Sequence, residues 1–333
     1  MSKTVKIFLI IAGIFIMGGI VVGGVGYVQG GMQSLVWERP GLRVVNYEDA
    51  SEMERVDGVY PDVKNIIVKT EMLSQVKITR GDELSVKGRN PKIYGGISAE
   101  LDGDTLTVTS KRSGIDLVGL GGGIFGAFGA FYDNNNGYVE IAVPEGVTLN
   151  KVQITANLPK ITVTGLNAGE LNASCDMGSI TISETNTRKL RVDTNMGAVK
   201  LESCTADDLM VSANMGELKM DNVTAGYAAL NLDAGSAELF GFESGGLTMN
   251  CAMGSVELAG ILKGKSDISC DMGSIKLDLD QPESSLSLDI EADLGDAYVN
   301  GHRVRNEHDR SVPHAEGELE VSSDMGSIRI NFQ

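Results

Sequence analysis

A glycine recurs every 19 residues through the middle of this chain: Gly178, Gly197, Gly216, Gly235, Gly254 and Gly273, followed by Gly295 and Gly326 at intervals of 22 and 31. Its surroundings repeat too, as in Cys175-Asp176-Met177-Gly178-Ser179-Ile180 and Cys270-Asp271-Met272-Gly273-Ser274-Ile275. One interval before Gly178, Asn157-Leu158-Pro159-Lys160-Ile161 is a degenerate first copy, so nine similar units fill 150–333. A strict period of about 20 residues is the mark of a solenoid. A unit this short cannot bury a core alone and must stack on its neighbours.

Apolar residues stand seven and five places before the glycines, as in Leu190 and Val192 or Leu209 and Val211, with Ser266 the exception seven before Gly273. Others stand two and four places after it, as in Val199 and Leu201 or Leu218 and Met220. This is period-two alternation on either side of a turn: a strand, a corner at the glycine, a second strand. Glycine at the corner supplies a positive φ that other residues reach only at a cost. Met177, Met196, Met215, Met253, Met272 and Met325 directly precede the glycine, and continuing the alternation turns this column inward as core filling. Seven after the glycine, Leu166, Cys204, Val223, Phe242 and Ile261 give one more inward position. The expected fold is all-β: a parallel β-solenoid (β-helix) of about nine 19-residue coils, each rising about 4.8 Å. An N-terminal β cap and one transmembrane helix are expected to precede it.

That helix is Ile7–Val28, 22 residues without a charge. At about 1.5 Å per residue it spans a hydrocarbon core of about 30 Å. Lys3 and Lys6 precede it, which keeps residues 1–6 in the cytoplasm and puts the β domain outside, as a single-pass protein of the cell membrane. The run is longer than a cleaved leader's apolar stretch and lacks an Ala-x-Ala site, so it reads as an uncleaved signal anchor. Residues 29–60 read as a juxtamembrane linker. Residues 61–149 read as a β-rich capping region that hides the open edge of the stack, interrupted by a glycine-rich insertion at 114–137. The repeats at 150–333 carry a second insertion at 301–317. The last repeat ends on Ser327–Phe332, so that edge is expected either to be shielded by 301–317 or to be offered for strand addition, including self-association.

Net charge is −17 with a pI of about 4.6, which argues against a nucleic-acid partner. Two before the glycine runs an Asx column: Asn157, Asp176, Asn195, Asn214, Asp233, Asp271, Asp293 and Asp324, broken only by Ala252. One reading is that these side chains bond the corner backbone and each other. The other is a calcium track, with Asp176, Asp233, Asp271, Asp293 and Asp324 as ligands, although calcium-binding solenoids use a nine-residue repeat. All three histidines, His302, His308 and His314, lie within 301–317. Zinc suits that residue type, but the spacing of six fits no ligand pattern, and an exposed polar insertion is the plainer account. The regular coils hold no histidine and no convergent acid, base and cation-binding groups. A polysaccharide-acting β-helix enzyme is therefore a distant reading, and no catalytic residue or cofactor is assigned. Cys175, Cys251 and Cys270 share a column with Ala213, Thr194 and Ser323. Small size is what these have in common, so they read as buried thiols rather than as disulfides.

The order Tyr138-Val139-Glu140-Ile141-Ala142-Val143-Pro144-Glu145-Gly146, then Leu149, Val152 and Ile154, then the Asp-Met-Gly-Ser-Ile units, resembles the bacterial adhesin-like family with β-strand repeats. The resemblance covers residues 61–333. It implies a β-solenoid on the outer side of a bacterial membrane, named for adhesion by analogy, with no catalytic residues to carry over. The expected function is binding of an unidentified surface, glycan or envelope protein, as an adhesin-like or envelope-scaffold protein. The alternative is a regulatory or sensing partner in an envelope-stress system.

Overall fold

The computed structural model describes residues 34–38, 41–45, 52–71, 73–92, 95–110, 115–117, 137–305 and 307–333. Ile7–Val28 lies outside them, and among the described residues no helix is long and apolar enough to cross a membrane. The chain divides into two compact units. In the first, Ser34–Glu38 and Gly41–Val45 form an antiparallel pair, and Ile115–Leu117 adds antiparallel to Ser34–Glu38. Part of the stretch expected as a linker is therefore sheet, and its third strand comes from the start of the glycine-rich insertion.

The second unit is the solenoid. Coils Asn167–Ser183, Asn186–Glu202, Thr205–Asp221, Thr224–Ser244, Leu247–Leu262 and Gly264–Leu279 stack parallel, each on the one before. Leu171, Leu190, Leu209, Ala228 and Leu247 are all buried in one column, as are Ile180, Val199, Leu218, Ala237 and Val256. The stack extends beyond the nine expected units. Thr148–Ala156 pairs in parallel with Asn65–Thr70, and Asn65–Thr70 with Thr105–Ser110. On the other arm Lys160–Thr164 pairs with Gln75–Gly81, and Gln75–Gly81 with Tyr138–Pro144. What reads as a separate cap thus contributes two further layers. The capping itself falls to Ser98–Asp102 and Ser85–Pro91, which close the two arms antiparallel.

The far end departs from chain order. Gly264–Leu279 does not stack on Leu286–Leu294. Its neighbour is the final strand, Gly317–Phe332, and Leu286–Leu294 with Ala297–Val299 packs on the other side of that strand. The final strand therefore has partners on both edges, so of the two outcomes expected for this edge, shielding or strand addition, it is not the final strand that is left open. The extra residues in the 22-residue interval step over the skipped layer. In this crossing the buried Gln281 amide bonds both backbone groups of Leu262, at 2.8 and 3.0 Å, and stands in for a missing strand. The insertion at 301–317 supplies the cover: His302–Arg303 and Glu307–Arg310 pair antiparallel with the outermost layer. Both ends follow one plan. At each, a segment near the chain terminus occupies the second layer in, the antiparallel cap comes next along the chain, and the outermost layer is laid by a segment from the cap's other side.

Two details of the coil correct the sequence reading. The methionines point outward. Met177, Met196, Met215, Met253, Met272 and Met325 are 42–52% exposed. The inward place at this corner is taken by the column two residues earlier, where Cys175, Thr194, Ala213, Leu232, Cys251, Cys270 and Ser323 are buried. Alternation stops there because the chain turns, and the four residues of the corner, such as Asp176 to Ser179, all lie on the outside. A register shift after Phe240 also puts Gly260 opposite Phe242 and Ile261 opposite Glu243, so that Ile261 is only half-buried while Leu262, opposite Ser244, is buried.

The second detail is another corner, six residues after Gly178, Gly197, Gly216 and Gly235 and after Pro159 of the degenerate copy, where the backbone is left-handed. Gly165 and Gly241 occupy it easily, but so do Glu184, Ser203 and Asn222 at φ of 49°, 53° and 54°. A left-handed residue with a Cβ costs about 1–2 kcal/mol. Ser203→Gly should therefore stabilise the protein by about 1 kcal/mol, after the entropy glycine gains when unfolded. Urea unfolding midpoints read this directly, and a lower midpoint for the variant counts against the corner as described.

Candidate functional site

The corner places the Asx column and the methionine column side by side on the outer surface. Met177, Met196 and Met215 are register partners on consecutive coils, Ala234 follows, and Met253, Met272 and Met325 continue the line. Leu294 extends it on the outermost layer, 71% exposed. At a coil spacing of about 4.8 Å this makes an apolar ridge roughly 35 Å long. Exposed apolar residues scattered singly need no explanation, whereas a continuous stripe does.

On one flank runs the Asx column. Asn195 donates to Asp176 at 3.0 Å and Asn214 to Asn195 at 3.2 Å, which is the ladder reading of this column. A second ladder runs two residues earlier, from Asn250 to Asn231 at 2.9 Å and from Ser269 to Asn250 at 3.0 Å. Where Ala252 breaks the Asx column, a shallow notch of about 180 Å³ opens between Asp233 and Asp271, edged by Asn231, Asn250 and Ser269. The displaced layer order brings Asp271, Asp324 and Asp293 onto consecutive layers. His302 and His308 lie on different cap strands, paired to Val299 and Ile290, and His314 sits in the loop beyond. Among the described residues no three His, Cys, Asp or Glu side chains gather where they would hold a metal.

A sequence profile for the Toastrack DUF4097 family matches residues 63–331, most of the chain. The chain belongs to the Toastrack DUF4097 family. No curated protein sequence matches it. Among solved structures it is similar to an adhesin-like protein from Bacteroides fragilis, at 13% identity and a TM-score of 0.46, over 85% of this chain and 98% of that one. It is also similar to a protein from Parabacteroides distasonis described as lipid-binding, at 15% identity and a TM-score of 0.45, over 84% and 97%.

This Toastrack chain keeps its thiols inside. Cys175, Cys204, Cys251 and Cys270 are all free and buried. Burial pushes the Cys175 thiol up to about 11 and raises Cys204 as well. Cys270 is raised by the neighbouring Cys251 thiol and by burial. Cys175, Cys204 and Cys270, held protonated in this way, are poor nucleophiles at neutral pH, whereas the hydrogen bond with the Cys270 thiol lowers Cys251. The exposed sulfur of this Toastrack coil is thioether sulfur. The sequence carried a clue to that. The small-residue column two places before the methionines already fills the inside of the corner, leaving no room for a second column behind it.

Proposed function

We propose that this Toastrack protein acts by binding, as an adhesin-like or envelope-scaffold protein, with the methionine ridge as its contact face. The exposure of the ridge carries this reading. A straight line of half-exposed thioethers is apolar and adaptable, the character of a surface that packs against other surfaces. The partner that fits is an envelope protein surface whose apolar residues are bordered by lysine or arginine. The chain's charge of −17 and the aspartates at 176, 233, 271, 324 and 293 along one flank complement such a border and repel anionic surfaces. Ile7–Val28 would hold the solenoid at the outer face of the membrane, with residues 1–6 inside.

The test compares the full chain with a variant carrying Met196→Ser, Met215→Ser, Met253→Ser and Met272→Ser. These side chains are about half exposed, so the folded state should keep its melting temperature. Retention on envelope surfaces should fall at least tenfold, since burying each methionine contributes about 1 kcal/mol. Retention of the unmodified chain should also weaken as salt rises. Equal retention by the two proteins would remove the ridge as the contact face.

A further inference from the structure

We propose that the methionine ridge also binds soft monovalent d10 cations, Cu(I) or Ag(I), one ion on each of two runs of three stacked thioethers. The first run is Met177, Met196 and Met215. The second is Met253, Met272 and Met325, and it is continuous only because the final strand is inserted next to Gly264–Leu279. Ala234 separates the two runs. Each sulfur-bearing side chain stands half exposed on the outer surface, open to an ion from solvent.

The chemistry follows from ligand type and spacing. Thioether sulfur is a soft, neutral ligand that favours Cu(I) and its heavier congener over hard ions such as calcium or magnesium. Taking the zinc–thiolate bond of about 2.3 Å as the lower bound and about 2.5 Å for the larger silver ion, a two-coordinate d10 ion spans roughly 4.6–5.0 Å from sulfur to sulfur. That is close to the spacing of about 4.8 Å between coils, so neighbouring methionines meet this span with little lean. The flexible methionine side chain lets the third sulfur of a run approach from the next coil. A run has only three sulfurs, so a second ion would have to share the middle one with the first, and the modest repulsion between unit charges one coil apart adds to that limit of one ion per run. Asp271 and Asp324 immediately precede two methionines of the second run and Asp293 lies on the next layer, whereas the first run has one aspartate and two asparagines in those places. The second run therefore binds more tightly. Binding makes and breaks only coordination bonds. It does not depend on a partner docking on the ridge.

The experiment titrates silver nitrate, in chloride-free buffer, into the full chain labelled with 13C at the methionine methyls. Methyl resonances of the six ridge methionines should shift and saturate at two ions per chain. Met196→Leu should leave one ion, because the outer sulfurs of that run then sit two coils apart. Met177→Leu leaves an adjacent pair and should weaken that site without abolishing it. Met196→Leu with Met272→Leu should remove both sites, weakening binding more than tenfold. All three positions are exposed, and an unchanged melting temperature confirms the fold. Three results would overturn the proposal: ridge methyls that do not shift, a double variant that still takes up two ions, or uptake that consumes the buried thiols instead. Equal shifts on adding calcium would overturn the claimed softness of the site.

Discussion

A chain ending at Glu316 should lose the order of the whole far end of the solenoid, not merely its last repeat. In a solenoid stacked in chain order, removing the last coil peels off an outer layer and leaves the rest standing. Here Gly317–Phe332 lies between Gly264–Leu279 and Leu286–Leu294 and pairs with both. It carries Leu319, Val321, Ile328 and Ile330, all buried. Burying four such side chains contributes on the order of 10 kcal/mol, about the net stability of an ordinary domain. The layer outside it, 286–299, then has nothing to pack on. Hydrogen exchange should show protection lost across 286–310 and reduced in 264–279, while 167–221 stays protected. Undiminished protection of 286–299 in the truncated chain would mean that this segment stacks directly on 264–279, and the inserted order would be wrong.

Most of the coil is legible in the sequence because a solenoid repeats one environment. Leu190, Leu209 and Leu247 occupy the same buried place on successive coils, so the pattern is written many times and errors average out. The corner is not legible by the same rule. Alternation holds along a strand, and Met177 sits beyond the point where the strand turns, so a rule that assigns Ala173 and Cys175 correctly puts Met177 on the wrong side. The layer order is hidden for another reason. Gly273 lies next to Gly326, 53 residues on, and not next to Gly295. A period shows that units are alike, and it does not show which lies on which. The intervals of 22 and 31 mark the disturbance without naming it. The two layers before residue 150 escape notice because they lack the corner glycine. Ile66 and Val68 stack on Val152 and Ile154, and Val76 and Ile78 on Ile161 and Val163, joined by a connection that contains Leu73. The same rule misplaces the methionine column, whereas the bonds from Asn195 to Asp176 and from Asn214 to Asn195 agree with the ladder expected of the Asx column.

Gly216→Val should be the most damaging single substitution in the regular coils, and Gly216→Ala should be nearly as harmful. Gly216 has φ of +151°, and a Cβ built there would overlap the carbonyl of Gly197 on the coil beneath. The same holds for Gly235 over Gly216 and for Gly254 over Gly235. The column is thus backbone stacked on backbone, with no flexible side chain to move aside. The first carbon of any side chain creates the conflict, so the penalty should not scale with side-chain size, as it does in a core. About 3–5 kcal/mol is expected for either variant, the range reached by strained or overpacked positions. The adjacent Met215→Ala, at a position 52% exposed, should cost about 0.5 kcal/mol or less. Urea unfolding of the three variants separates the cases, with hydrogen exchange expected to localise the damage to the coils at 186–202 and 205–221. If Gly216→Ala unfolds at the same midpoint as the unaltered chain, the close stacking of the corner is refuted. The outward turn of the methionines, which that corner produces, would then need another cause.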